Sequence, residues 1–213
     1  MALGRVGGVS RETRQALEAY ETLLLKWQKA VNLVGSATLD DVWNRHFIDS
    51  AQLAPLIPRR GDGKAPVVLD AGSGAGFPGL VLAILSATGA VPEPGFDVHL
   101  VESNARKCAF LREAARVTNS AVTVHHRRVE ALAPFPVDVV TARGFAPLPR
   151  LLDLLRGFLE TPAGPPMGLF LKGRRAQREL TEARKHWKMR VQTIASVTDP
   201  DGVVLRIEDI VRG

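Results

Sequence analysis

The sequence has little cysteine and no long apolar run, and these absences exclude large classes of protein. Its 213 residues contain one cysteine, Cys108, which excludes an internal disulfide and a multi-cysteine zinc site and favours a reducing compartment. No run approaches the roughly 18 apolar residues of a membrane-spanning helix, and the first residues lack the apolar centre of a signal peptide. We therefore expect a soluble, cytoplasmic protein that does not contact membranes.

Acidic residues are also in short supply. The chain has 22 Asp and Glu against 28 Lys and Arg, which gives a net charge of +6 and an isoelectric point near 10.0. This balance predicts an anionic partner without specifying the surface that binds it. The length suits one α/β domain with an appended piece.

The N-terminal region reads as helical. Apolar residues at three- and four-residue spacing, from Leu17 to Val31, predict an amphipathic helix over residues 11–30. A second helical stretch runs from about Asp40 to near Pro55. We expect residues 1–57 to form a helical extension and residues 58–213 to form the main domain. Within the extension, His46 has two interpretations, a catalytic residue or a histidine hydrogen-bonded to a neighbour.

Strands and helices alternate after residue 66. Predicted strands lie at 67–70, 97–102, 121–126, 137–143 and 168–173, with helices between them, and residues 191–212 predict a β-hairpin around Asp199-Pro200-Asp201-Gly202. The alternation indicates an α/β fold with a mostly parallel sheet. Because His125 and His126 are adjacent in a strand, they point to opposite faces, and no metal site is predicted.

A glycine-rich loop joins the first strand to the next helix. Glycines recur at Gly72, Gly74 and Gly76, and residues without Cβ let backbone N–H groups approach a ligand at a helix N-terminus. The spacing Gly74-x-Gly76-x-x-Gly79 also fits the dinucleotide pattern, which alone is a weak signal. Asp70 would repel a pyrophosphate but suits a ligand with an ammonium group. The loop therefore favours S-adenosylmethionine (SAM) over NAD, with a structural turn as the plain alternative.

Polar residues end the neighbouring strands at the same edge of the sheet. Glu102 closes the second strand, where a carboxylate can accept both hydroxyls of a ribose, and Arg143 closes the fourth. Farther along, basic residues are frequent from Lys172 to Arg190. This run reads either as the solvated face of a helix or as a surface for a polyanion.

Together these residues resemble the bacterial guanine-N7 methyltransferases of small-subunit ribosomal RNA, the RsmG (GidB) family. The resemblance covers most of the chain and is carried by Asn32-Leu33, Arg45-His46-x-x-Asp49-Ser50, the loop from Asp70 to Gly79 with its Gly-Phe-Pro-Gly ending, Glu102 with Lys107, Arg128-x-Glu130, Arg143 and Leu171-Lys172-Gly173. Val34 stands where the family usually has threonine, and Gly144 where it usually has alanine.

The resemblance implies a class I SAM-dependent methyltransferase fold: a Rossmann-like α/β architecture with a seven-stranded, mostly parallel sheet and a helical N-terminal extension. It implies SAM as cofactor, and 16S rRNA or a small-subunit particle as partner. We expect a monomer. The implied cofactor-binding residues are Asp70 near the SAM amino group, Glu102 on the ribose, and Gly72, Ser73, Gly74, Gly76, Phe77, Val129, Glu130 and Arg143. The implied catalytic residues are Arg128, Arg143 and His46, and the implied RNA-binding residues are Arg45, Arg128, Lys172, Arg174, Arg175 and Arg178.

The implied reaction needs no general base. Guanine N7 already presents a lone pair, so its attack on a sulfonium carbon removes no proton, and we expect His46 to position groups rather than act as a base. Signatures of other methyltransferases are absent: the fourth strand ends in Ala142-Arg143-Gly144-Phe145, and Cys108 lies away from the expected site. Two other functions stay open here, a NAD-dependent oxidoreductase and a non-catalytic RNA-binding module.

Overall fold

The computed structural model describes residues 9–161 and 164–213, so the first eight residues of the predicted extension lie outside the described part. Seven strands form one sheet in the order β3-β2-β1-β4-β5-β7-β6. The strands are β1 (Val67–Ala71), β2 (Asp97–Glu102), β3 (Thr123–His126), β4 (Val139–Arg143), β5 (Met167–Lys172), β6 (Trp187–Ala195) and β7 (Val203–Arg212). β7 pairs antiparallel with both neighbours, and the other pairs are parallel, which confirms the predicted sheet.

Helices connect these strands and cover the sheet. They are α1 (Arg11–Gln28), α2 (Asp49–Ala51), α3 (Gly79–Ala87), α4 (Ala105–Val117), α5 (Leu148–Leu154), α6 (Arg156–Leu159) and α7 (Ala176–Ala183). The Ser10 side chain caps α1 by accepting from the amide of Thr13, and Asn104 caps α4. No helix within residues 9–161 and 164–213 is long and apolar enough to cross a membrane.

The strand order locates the ligand crevice. From β1 the chain first crosses to β2 and β3 on one side, then returns to β4 and β5 on the other. In open α/β sheets ligands bind beyond the carboxyl ends of the strands at such a reversal. The loops after β1 and β4 meet at this point.

The second predicted helix is not one continuous helix. A 3₁₀ turn covers Ser36–Asp41, a π-helical turn covers Trp43–Ile48, α2 follows, and another 3₁₀ turn covers Ala54–Leu56. The apolar spacing marked the buried residues Val42, Phe47 and Ile48 correctly, but spacing does not fix the local hydrogen-bond pattern.

The C-terminal part also differs from the prediction. The basic run is not one helix, since α7 ends at Ala183 and both Lys188 and Arg190 lie on β6. The helix predicted between the fourth and fifth strands is divided into α5 and α6.

The extension and the sheet share one hydrophobic cluster. Leu17, Tyr20 and Leu24 of α1 are fully buried and pack in the cluster that contains Leu80 of α3 and Phe110 of α4. The division at residues 57 and 58 stays a prediction from sequence. The shared cluster holds α1 directly behind the glycine-rich loop.

Candidate active site

The glycine-rich loop after β1 has backbone angles that favour glycine. Gly74 has φ +57° and Gly76 has φ +96°, in the left-handed region. A Cβ on Gly76 would lie 2.7 Å from the Tyr20 hydroxyl, so Gly76 packs against the core and does not line the cavity. Its predicted contact with the ligand stays a prediction. Around Gly74 nothing lies closer than 3.8 Å to such a Cβ, so this glycine keeps the cavity open.

A cavity of about 420 Å³, called here the cofactor cavity, lies between this loop and the ends of β2 and β4. Its lining brings together most of the predicted cofactor residues and both predicted catalytic arginines: Gly72, Ser73, Gly74, Phe77, Glu102, Arg128, Val129, Glu130 and Arg143. The sequence motifs, spread over 70 residues of chain, therefore meet in one space.

Asp70 lies beneath the loop and not on the cavity wall. Its side chain is fully buried and accepts hydrogen bonds from Thr141 Oγ1 at 2.9 Å and from the Gly79 amide at 3.2 Å, at the start of α3. Burial raises the pKa of Asp70 to about 6, against the opposing effect of these hydrogen bonds. The side chain points inward from β1 and supports the loop, and its predicted position near the ligand ammonium group stays a prediction.

Glu102 faces the cofactor cavity from the end of β2. One carboxylate oxygen accepts from the Gly74 amide at 3.0 Å, and the other accepts from the Asn104 amide at 2.7 Å. Each oxygen has a second lone pair, so the carboxylate can also accept from the two hydroxyls of a ribose. The side chain thus links the loop to the predicted ribose position.

A second cavity of about 470 Å³ adjoins the first and is called here the substrate cavity. It is lined by Arg45, His46, Asp49, Lys172 and the 196–203 segment. Both cavities share four residues, namely Leu33, Val34, Arg143 and Gly144. This common wall is the place where two ligands could meet.

Arg143 and His46 form the centre of this wall. The Arg143 guanidinium donates to His46 Nδ1 at 2.6 Å, pairs with Asp49 at 3.2 Å and lies 4.8 Å from the centroid of the Phe77 ring. Since a guanidinium only donates, Nδ1 accepts, and Nε2 carries the hydrogen that faces Thr38 Oγ1 at 2.8 Å. Burial and the neighbouring Arg143 lower the pKa of His46 to about 3. His46 is therefore neutral, with both nitrogens engaged, and cannot serve as a general base.

The predicted RNA-binding residues have different environments, some buried and some exposed. Lys172 is largely buried, donates to the Ala146 carbonyl at 2.7 Å and pairs with Glu179 at 2.9 Å, so its ammonium group braces the site instead of facing solvent. Lys172 still lines the substrate cavity, and its predicted contact with RNA stays a prediction. Arg45 pairs with Asp199, and Arg174 is exposed with Asp201 nearby. Arg175 and Arg178 are exposed and do not line either cavity.

A larger cavity of about 520 Å³ lies at the amino ends of the strands, beside Pro66 and Phe96. It contains none of the predicted site residues. The chemistry suggested by the sequence is concentrated at the carboxyl ends of the strands.

Comparison with known proteins places the chain in a family. Residues 13–202 match the family model GidB, described as rRNA small subunit methyltransferase G. The chain belongs to the GidB family. A Ribosomal RNA small subunit methyltransferase G from Rhodospirillum rubrum is 56% identical over 96% of this chain and 94% of its own length. One of the same name from Gluconobacter oxydans is 46% identical over 96% of this chain and 97% of its own.

Solved structures share the fold of this GidB-family chain at low identity. A ribosomal protein L11 methylase from Lactobacillus delbrueckii subsp. bulgaricus aligns with a TM-score of 0.53 and 18% identity, covering 75% of this chain and 78% of its own. A Listeria monocytogenes protein described as a class I SAM-dependent methyltransferase gives 0.58 and 17%, covering 90% and 67%. These likenesses support the predicted class I methyltransferase fold.

From the sequence, no site role was assigned to several residues that line the cofactor cavity of this GidB-family chain. Lys107, Arg127 and Arg150 line the cofactor cavity, and none of the three has an ion-pair partner among the described residues. Arg127 precedes the predicted Arg128, so its position directly after β3 was an available signal. The sequence contains no such signal for Arg150, because its position at the cavity depends on how α5 packs beside the loop.

Proposed function

We propose that this GidB-family protein transfers a methyl group from SAM to N7 of a guanine in 16S rRNA. The observation that carries the proposal is the wall shared by the cofactor and substrate cavities, with Arg143 at its centre. Methyl transfer is an in-line displacement at carbon, so the protein has to hold a methyl donor and an acceptor atom in contact. Two adjoining cavities with one common wall meet that requirement.

The cofactor cavity offers SAM open space beside the loop and a carboxylate that accepts hydrogen bonds. The open space at Gly74 admits a ligand chain close to the backbone, and the Glu102 carboxylate can accept from the ribose hydroxyls. SAM bound there would supply a methyl group on a sulfonium centre. The residues of the chain then have to bind and orient this ligand and keep its methyl group directed at the common wall.

The substrate cavity suits a guanine presented at its N7 edge. Arg143 is positively charged although it is largely buried, because arginine keeps its proton in proteins. Its guanidinium can direct an N–H group at guanine O6, next to the attacking N7. The rigid contacts of Arg143 to His46, Asp49 and the Arg45 carbonyl fix its orientation.

The locked, neutral His46 fits an acceptor that needs no base. Guanine N7 attacks with its own lone pair, and the positive charge passes from sulfur to the purine. A hydroxyl or an exocyclic amine would instead lose a proton, and His46 offers no unoccupied nitrogen to take it. The geometry therefore favours N7 over those acceptors.

The decisive experiment is to map the methyl group. The protein is incubated with labelled SAM and small-subunit particles, or naked 16S rRNA, from cells that lack the activity. We expect label on one guanine N7, with one substrate form preferred. Gly74→Val should abolish SAM binding by filling the open space and straining φ, while circular dichroism shows an intact fold.

Three outcomes would contradict the proposal. Label on a ribose or an exocyclic amine would overturn the N7 assignment. Stable RNA binding without transfer would indicate a non-catalytic RNA-binding module, and calorimetric binding of NAD in place of SAM would indicate an oxidoreductase. A monomer in sedimentation experiments is the expected oligomeric state.

A further inference from the structure

We infer that Tyr20, on the N-terminal extension, is a positioning residue for the SAM-binding loop. This inference rests on the proposed function, because it concerns how the loop binds SAM. Tyr20 lies on α1, more than 50 residues from the loop in sequence, and its side chain is fully buried. Its hydroxyl donates a hydrogen bond to the backbone carbonyl of Ala75, in the middle of the glycine-rich loop.

The hydrogen bond fixes the orientation of a peptide in the cavity wall. Ala75 lines the cofactor cavity, and its carbonyl is turned away from the cavity toward Tyr20. The following amide, of Gly76, donates back to the Ser73 carbonyl at 2.6 Å, which closes the loop on itself. Without the hydroxyl, the Ala75 carbonyl would be buried with no donor, and the loop would have to rotate that peptide to satisfy it.

The Tyr20 ring contributes as well as its hydroxyl. It stacks on Phe77 of the loop at 5.4 Å and contacts Phe47 at 5.3 Å between ring centroids. Phe77 in turn supports His46 at 4.7 Å and the Arg143 guanidinium at 4.8 Å. One buried side chain of the extension therefore contacts the cofactor loop directly and the His46–Arg143 pair through Phe77.

The shape of the loop explains why this support has to come from outside the sheet. A Cβ at Gly76 would collide with the Tyr20 hydroxyl, so the loop approaches α1 as closely as a backbone can. The three glycines give the loop many conformations, and a single anchoring carbonyl reduces that freedom before the ligand binds.

The first test is Tyr20→Phe, which removes the hydroxyl and keeps the ring. We expect the calorimetric dissociation constant for SAM to rise about ten-fold, the size of effect that an unsatisfied buried carbonyl produces. The rate of transfer at saturating SAM should fall less than this. Thr118→Ala is the matched control, since Thr118 also donates a buried hydrogen bond, to the Ala114 carbonyl at the end of α4. It should lower the melting temperature similarly and leave SAM affinity unchanged.

The second test needs no variant. The chain contains one tyrosine, so labelling with 3-fluorotyrosine places a single ¹⁹F nucleus at Tyr20. Saturation with SAM should shift its resonance, because the loop settles around the ligand. A SAM affinity of Tyr20→Phe within two-fold of wild type, an equal loss in Thr118→Ala, or an unshifted ¹⁹F resonance would overturn the inference. If the wild-type protein itself does not bind SAM, the proposed function fails instead.

Discussion

At the scale of single residues, two buried groups have pKa values displaced in opposite directions. Folding lowers the pKa of His46 from 6.5 to about 3. Between these pH values the unfolded chain binds one more proton than the folded chain, so the folded state loses stability as the pH falls. Folding raises the pKa of Asp70 from 3.8 to about 6. Between these pH values the folded chain binds one more proton than the unfolded chain, so the folded state gains stability as the pH falls. Between about pH 4 and 6 the two effects oppose each other.

Single substitutions should separate these two effects. Relative to wild type, His46→Gln should gain free energy of unfolding as the pH is lowered from 6 to 4, and Asp70→Asn should lose it. Each change should approach about 2–3 kcal/mol, since one pKa unit corresponds to about 1.4 kcal/mol. Urea denaturation at a series of pH values measures both. If the free energy of unfolding changed with pH in the same way in both variants, these two groups would not have the displaced pKa values that their burial requires.

The position of Asp70 shows where sequence reasoning stops at this scale. The sequence correctly placed it at the end of the first strand, beside the loop. It could not show that the side chain points into the core, because its partner Thr141 is on β4, 71 residues away. The role of Tyr20 was hidden for the same reason, because its partner Ala75 is 55 residues away.

At the scale of elements, the β6–β7 hairpin is tied to the extension near the substrate cavity. Gln52 accepts from the Val197 amide at 3.0 Å, and Asp49 accepts from Thr198 Oγ1 at 2.8 Å. These bonds hold the 196–202 turn beside the Asp49–Arg143 ion pair. The 196–202 turn and the N-terminal extension therefore form one side of the substrate cavity together.

Loss of the Gln52 side chain should loosen that turn. In Gln52→Ala we expect amide exchange over residues 196–202 to accelerate about ten-fold, because the Val197 amide loses its acceptor. SAM affinity should not change, since Gln52 does not line the cofactor cavity. Hydrogen exchange with mass spectrometry measures the effect. Gln192→Ala, on the exposed face of β6, is the control, and equal exchange in both variants would refute this tie.

Most elements could be predicted because each has a repeating pattern of its own. The second strand was predicted at its observed bounds, 97–102, and α1 differed by two residues. The start of β6 was missed although Trp187, Met189 and Val191 alternate with Lys188 and Arg190, a period of two that the charge run obscured. The π-helical turn at Trp43–Ile48 had no such signal, because it is set by packing.

At the scale of the whole molecule, two groups of basic residues are candidates for the surface that contacts RNA. One is the rim of the cofactor cavity, with Lys107, Arg127, Arg128 and Arg150. The other is the exposed group of Arg174, Arg175 and Arg178 before and on α7. The rim is closer to the proposed point of methyl transfer, so we expect it to carry more of the contact with RNA phosphates.

Salt dependence distinguishes the two surfaces. Replacing the three rim residues Lys107, Arg127 and Arg150 with glutamine should weaken rRNA binding and flatten the slope of log affinity against log salt by about 2, as for the loss of two to three phosphate contacts. RNA binding is measured with saturating SAM, because these three residues also line the cofactor cavity. Neutralising Arg174, Arg175 and Arg178 should have a smaller effect, and a control triple at Arg11, Arg59 and Lys64 none. A larger effect from the Arg174 group would reverse the assignment.

The wall common to the two cavities also has a consequence for inhibitor design. A compound confined to the cofactor cavity meets the loop and the carboxylate of Glu102, features that any SAM-dependent enzyme of this fold could offer. A bisubstrate compound has to pass the common wall at Val34 and Gly144, and a Cβ at Gly144 would meet no atom within 4 Å. The linker between its two halves, more than either half, is where selectivity for this protein can be built.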